Sequence, residues 1–433
     1  LDANTTGASN TAIGDNALGA NTTASYNTAV GANVLLVNTT GAYNVGIGYA
    51  AADAMTTGAQ NVAVGAQSLS ATTTASYNVA VGQNSLLVNT TGASNVAVGA
   101  YALDANTTAS NNVAVGYGSL SENTDGTDNV AVGYASLDAN TTGSDNTAIG
   151  DNALGANTTA SYNTAVGADA LLVNTTGEEN VAVGYTALDA NTTGVSNVGI
   201  GSGALSTNAQ GDNSTAVGTN ALFTQNPSGN ADMNNTAVGY YALRLSTTGT
   251  NNTAVGSSAL TANTTGTGLV GVGYNSLAAN TTGDHNVALG YNALDATTTG
   301  SKNTGLGTSA LGGNTTADNN TAVGYNSLVA NTTGTYNVAV GSLALDANTT
   351  ANSNTAVGYE SLSTNTTGSA NIAVGHAALG ANTTGANNTA VGYAALDVNT
   401  TGTQNVAVGE NALGANTTAN YNVAIGGQAL VLN

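Results

Sequence analysis

A glycine carrying the phrase Asn-(Thr/Val)-Ala-Val-Gly returns every 17 residues along this chain, and that period leaves few folds open. Anchor glycines stand at Gly14, Gly31, Gly48 and Gly65 and continue in steps of 17 to Gly218; one step of 21 reaches Gly239, and steps of 17 then resume to Gly426. The 25 anchors run without a gap, with the consensus Asn-(Thr/Val)-Ala-Val-Gly-Tyr-x-(Ala/Ser)-Leu-x-Ala-Asn-Thr-Thr-Gly-x-x. Self-similarity at a fixed period marks a repeat architecture, in which each unit buries its apolar face against its neighbours. Seventeen residues are too few for a strand–helix–strand unit, and no 3.6-residue apolar period runs through them. They suffice for one coil of a parallel β-solenoid, a β-roll with two short strands and two turns. The expectation is an all-β rod of about 25 coils stacked at about 4.8 Å. It forms one continuous array over residues 1–433, with a four-residue insertion between Gly218 and Gly239. Because the chain starts at Leu1 in mid-repeat, it reads as a segment of a longer one.

Within the unit, the residue before the anchor is always Val, Ile or Leu, and the residue three before it is Val, Thr or Ile in every copy. Between them stands only Ala or Gly. Large–small–large alternation over β-branched residues is a strand with two unlike faces. The large residues are assigned to the interior, with Val30, Val64 and Val81 as one core row. The small residues Ala29, Gly46, Ala63 and Ala80 form a face on which another chain or wall packs closely. Leu occupies the fourth place after the anchor in 24 of 25 copies, Ala52 being the exception, and suggests a second strand with Leu35, Leu69 and Leu86 as a second core row. The residue before that Leu is Ala or Ser in all but one copy, Val34.

Asn stands four before the anchor in 23 of 25 copies, as at Asn27, Asn44, Asn61, Asn78 and Asn95, with Ser214 and Leu269 the exceptions. Identical stacked Asn side chains bond along the axis as a structural ladder. The Asn-Thr-Thr triplet occurs 18 times, and each copy matches the glycosylation acceptor pattern, so Asn21, Asn38, Asn157 and Asn331 are possible acceptors; turn chemistry is the competing reading.

Composition closes off other functions. There is no Cys or Trp and one Phe, and 23 acidic residues face two basic ones for a formal charge of −21. Phosphate recognition depends on Lys and Arg, so no nucleic-acid partner is expected. No apolar run approaches the roughly 20 residues that span a bilayer. His285 and His376 lie about five coils apart, no thiol exists, and glycine patterns such as Gly199–Gly203 lack the helix a phosphate loop needs. No enzyme activity, cofactor or metal site is therefore expected. Asp2, Asp104, Asp138, Asp189, Asp295, Asp346 and Asp397 recur just after the Leu and read as solvated surface. Tyr follows the anchor in ten copies, and a second set includes Tyr26, Tyr77, Tyr162 and Tyr421; such rows suit sugar stacking, an interface or simple shielding of the core. The irregular coil carries Phe223, Pro227 and Met233, with Arg244 close behind, and is either a binding loop or a tolerated bulge.

The phrase Asn320–Leu328, Asn-Thr-Ala-Val-Gly-Tyr-Asn-Ser-Leu, resembles the repeats of trimeric autotransporter adhesin heads, and is similar to Asn-Thr-Thr-Gly-rich repeats of bacteriophage tail fibres and bacterial surface proteins. The resemblance implies a left-handed β-roll that trimerises. Together the residues and the resemblance suggest a structural and adhesive fibre on a cell or virion surface. It would self-associate as a trimer or end-to-end polymer and touch glycans or a receptor through many weak contacts. A self-stacking extracellular filament is the alternative, and an ice-binding rod, suggested by the threonine rows, a minor one.

Overall fold

The computed structural model describes residues 1–432, which form a parallel β-solenoid of 17-residue coils with no helix among them. Two compact units divide the chain at the irregular coil. The first comprises residues 1–213 and 226–231, the second 214–225 and 232–433. In the first unit, twelve three-residue strands run from Thr11–Ile13 to Val198–Ile200, and each pairs in parallel with the strand one coil away. Thr28 faces Val45, Ala29 faces Gly46 and Val30 faces Ile47. The second unit repeats the pattern from Thr215–Val217 to Val423–Ile425.

Each strand is short because the anchor glycine ends it. Gly31 has φ +134°, a region closed to L side chains, and a Cβ there would stand 2.5 Å from the Gly48 carbonyl oxygen. The expected second strand is absent. After the anchor the chain enters a run of turns with left-handed residues at alternate places, Asn33 at φ 61° and Leu35 at φ 50°, and this recurs in coil after coil. Each such non-glycine residue costs about 1 kcal/mol. Hydrogen bonds between coils and burial of the leucine, about 2 kcal/mol per side chain, offset that strain. The amides of Leu35 and Val37 donate to the carbonyls of Ala51 and Asp53 at 3.1 and 3.3 Å, so this wall is laddered between coils although it is no strand.

The interior is thin. Leu35 lies fully buried against the middle residue of the strand that closes its coil, Gly46. At Gly199, Gly271 and Gly305 an added Cβ would come within 3.2 Å of Leu188, Leu260 and Leu294 respectively. The leucine and the small strand residue therefore meet across each layer with no space to spare, and substitutions compensate within it. Val34 is the one large residue at its place, and it fits because Gly46 opposite has no Cβ to meet Val34 Cγ1.

A second exchange is less well matched. In the coil after Gly48, Ala52 replaces the leucine and buried Met55 takes the place of the asparagine of Asn-Thr-Thr. Met55 cannot donate, and the buried Oδ1 of Asn38 one coil away is left without a partner. The double substitution Ala52→Leu/Met55→Asn should raise stability by about 1 kcal/mol through that restored bond, whereas Ala52→Leu alone should overpack the layer and lower it. Urea unfolding of the three chains checks the order.

Candidate functional site

The three-residue strands determine what the solenoid shows to its surroundings. Their middle residues point inward: Ala29, Ala63 and Ala80 are buried, and Gly46 sits among them. The first and third residues point outward, so Val30, Val64 and Val81, expected in the core, are half-exposed instead. The valine row is thus reversed relative to the sequence expectation, while the small residues are buried against the opposite wall of the coil, one of the two alternatives it allowed. The leucine of each coil already fills the space opposite the strand, leaving room for a methyl group or less. Leu35, Leu69 and Leu86 are buried as expected.

The outcome is an outer sheet face of Val, Thr, Ile and Leu. Ile47 is 39% exposed, Ile372 45% and Leu289 53%. None of the three-residue strands contains a charged residue. Exposed aromatic rows border this face in sequence. On the side before the strands, Tyr26 and Tyr43 stack with ring centroids 4.8 Å apart and planes 7° apart. On the side after the anchors, Tyr117 stacks on Tyr134 at 5.7 Å and Tyr274 on Tyr291 at 5.4 Å. His376 lies between Tyr359 and Tyr393, at 5.3 and 5.2 Å, so it is a member of an aromatic row. His285 stands in the other row, at φ 57°.

Beside the second row a groove of about 270 Å³ runs over three coils, lined by Tyr101, Tyr117 and Tyr134 together with Asp104, Glu122 and Asp138. Its floor is low because Gly118 has no side chain; a Cβ there would meet nothing within 4 Å. The Asp row is half-buried rather than freely solvated. Burial holds the Asp104, Asp138, Asp295, Asp346 and Asp397 carboxyls above the usual carboxylate range; repulsion from Glu122 adds to this at Asp104 and Asp138, and from Glu360 at Asp346, while backbone amides pull the other way. Groups with a raised folded pKa bind protons more tightly in the native chain. Their contribution to stability is complete below the unfolded carboxylate pKa and is lost as pH rises through the folded one. Thermal unfolding should therefore shift upward as pH falls from 7 to about 4.5, against the usual acid destabilisation, and Asp346→Asn should flatten that rise.

Two asparagine ladders run through the interior. In the row of Asn27, Asn44, Asn61, Asn78 and Asn95, each amide N–H donates to the Oδ1 of the preceding Asn at 2.9 Å, and each Nδ2 donates to a carbonyl of the neighbouring coil, as Asn27 does to Gly41. The recurring link therefore runs from main chain to side chain, and at some rungs a bond between the amide groups is added, as from Asn61 Nδ2 to Asn44 Oδ1 at 3.2 Å. Leu269, lacking an amide side chain, still donates its N–H to Asn252 at 3.0 Å. The second row is that of Asn-Thr-Thr, with side-chain to side-chain bonds: Asn157 Nδ2 donates to Asn140 Oδ1, and Asn174 Nδ2 to Asn157 Oδ1, both at 3.0 Å. Asn21, Asn38, Asn157 and Asn331 all belong to it and are fully buried. Expected as possible glycosylation acceptors, they are structural in the folded chain, where a ladder amide cannot reach an enzyme. The two threonines diverge: Thr22 Oγ1 donates to the Thr39 carbonyl, while Thr23 is exposed in a single-file row.

In the irregular coil the array repairs itself by length. Ser214 is short where Asn is the rule, and the longer Gln225 donates to it at 3.0 Å while accepting from Asn235 at 2.9 Å. The Arg244 guanidinium lies 4.7 Å over the Tyr241 ring, which stacks on Tyr240. The inserted segment folds back within the first unit, where Thr193 Oγ1 donates to Asn230 Oδ1 at 2.8 Å. Among the described residues, no group of three His, Cys, Asp or Glu is placed to hold a metal ion, and no helix is long and apolar enough to cross a membrane.

The sequence reading missed the second asparagine ladder and the left-handed leucines. The latter do leave a trace: strand positions exchange Val, Ile, Leu and Thr freely, yet the leucine row never admits Val or Ile, because branching at Cβ is disfavoured at positive φ. Comparison of the chain with protein-family models and with curated proteins finds no match.

Proposed function

We propose that this protein is a structural fibre, a non-catalytic shaft that works outside the cell or on a virion and associates with copies of itself. The observation that carries the reading is the continuity of bonding within each unit: coils are tied to their neighbours by strand pairing and turn-wall hydrogen bonds, and over most of their length by buried asparagine ladders as well. In such an array stability accrues coil by coil, which suits a role in which length and stiffness are the product. The chain holds no thiol and only two histidines, and its surface is rich in repeated, uncharged and aromatic residues. Adhesion is the accompanying role. Exposed tyrosine rows offer the same weak contact many times over, and repetition converts weak contacts into avidity toward glycans or a surface receptor; the Tyr117 groove adds one cleft beside such a row.

Electron microscopy with fibre diffraction tests the structural role. The expected result is elongated particles with an axial reflection near 4.8 Å; compact globular particles would remove the reading. The ice-binding alternative has only the single-file row of exposed threonines behind it, and a thermal-hysteresis assay without activity disposes of it.

A further inference from the structure

A soluble protein rarely leaves a contiguous apolar surface of more than a few hundred Å² uncovered. Here the outer face of the strands does so over coil after coil. In the first unit twelve successive strands contribute Thr11 and Ile13, Thr28 and Val30, Val45 and Ile47, and so on to Val198 and Ile200. Each coil adds an area of about 4.8 by 10 Å, so one unit presents roughly 600 Å² from its strands alone. The bordering tyrosine rows widen it toward the roughly 800 Å² per partner of a standard interface.

We propose that this face docks a second copy of the same chain, sheet against sheet, with the Val/Thr/Ile rows of the two copies interdigitating at the roughly 10 Å spacing of packed sheets. The proposal rests on the reading of the protein as a self-associating fibre and names the surface that does it. Charge selects the surface. The chain carries a formal −21, yet every strand triplet is free of Asp and Glu, so two copies meeting there bring no carboxylates directly together. On the groove side the Asp row would oppose its own image. Period selects the partner. Side-chain rows at a one-coil spacing interlock along their length only with a surface of the same spacing, which a second copy has by construction. Sliding one copy by a coil restores near-equivalent contacts, so pairs can stagger and extend.

The test uses the full chain. Light scattering should give wild type a mass of at least twice 41.7 kDa. The triple variant Val98→Lys/Val115→Lys/Val132→Lys, altered at outward exposed and half-exposed places, should associate more weakly, its mass moving toward a single chain at the same concentration, with an unchanged far-ultraviolet spectrum. Thr108→Lys/Thr142→Lys/Thr159→Lys, with the same added charge on exposed turn threonines, should stay associated. Should the first variant fail to fold, single cysteines decide instead, since the chain has none: Val115→Cys should form disulfides between chains and Thr142→Cys should not. If wild type associates but cross-links through Thr142→Cys and not Val115→Cys, the face is wrong while self-association stands. If wild type is a single chain at every concentration, the interface and the self-associating role both fall.

Discussion

Replacing Asn140 by Asp should destabilise the first unit by about 3–5 kcal/mol at pH 8, the scale of an unpaired buried charge. Asn140 is fully buried, and its Nδ2 donates to Asn123 Oδ1 at 2.9 Å and to the Gly143 carbonyl at 3.0 Å. A carboxylate in its place turns both donations into contacts between acceptors, while the bond accepted from Asn157 survives. Because the buried acid holds its proton more tightly than an unfolded one, the deficit should shrink as pH falls through its raised pKa. Asn111→Asp is the control: that side chain is exposed and already at φ 64°, which Asp tolerates, so the change should stay within about 0.5 kcal/mol. In a repeat array the damage is local, so proteolysis near coil 133–150 should report it as clearly as the global transition. Equal losses for the two variants would mean that the second ladder is not buried.

The next largest effect concerns shape at constant volume. Leu137 is fully buried at φ 54°. Leu137→Ile keeps every carbon but branches at Cβ, and should cost about 2–3 kcal/mol, the sum of repacking and left-handed strain. Leu137→Met, unbranched there, should cost less than about 1.5 kcal/mol. In an ordinary strand the order would be the reverse, since isoleucine favours strands. Denaturant midpoints of the two variants therefore discriminate between a turn wall and the second strand that the sequence suggested.

These two sites show how far the sequence can be read. The period, the parallel register and the single leucine per coil follow from counting, because each coil must present the same side chain at the same place. Which side of the strand faces inward does not. Thr28-Ala29-Val30 alternates equally well either way, and burying valine is the ordinary solution. The deciding quantity is the width left by Leu35 on the opposite wall, which only the folded coil reveals, although one exchange hinted at it: the only large residue at its place, Val34, is followed by a Gly at position 46. The Asn-Thr-Thr rows were ambiguous for a different reason. Asparagine three residues before a tight Gly or Ala serves a turn, a ladder and a glycosylation signal alike, and burial alone separates them. The half-buried Asp row was invisible because its desolvation depends on neighbours 17 residues away.

The orientation of the strand triplet is the central claim, since the outward valines define the surface through which the fibre is proposed to assemble. Thiol reactivity measures it directly in a chain without native cysteine. Single variants Ala131→Cys and Val132→Cys are to be labelled with a maleimide from dilute to concentrated solution. The expected result is that Cys at 131 is protected throughout, and that Cys at 132 reacts readily when dilute and loses reactivity as chains associate. A reactive thiol at 131 with a protected one at 132 in the dilute chain would contradict it.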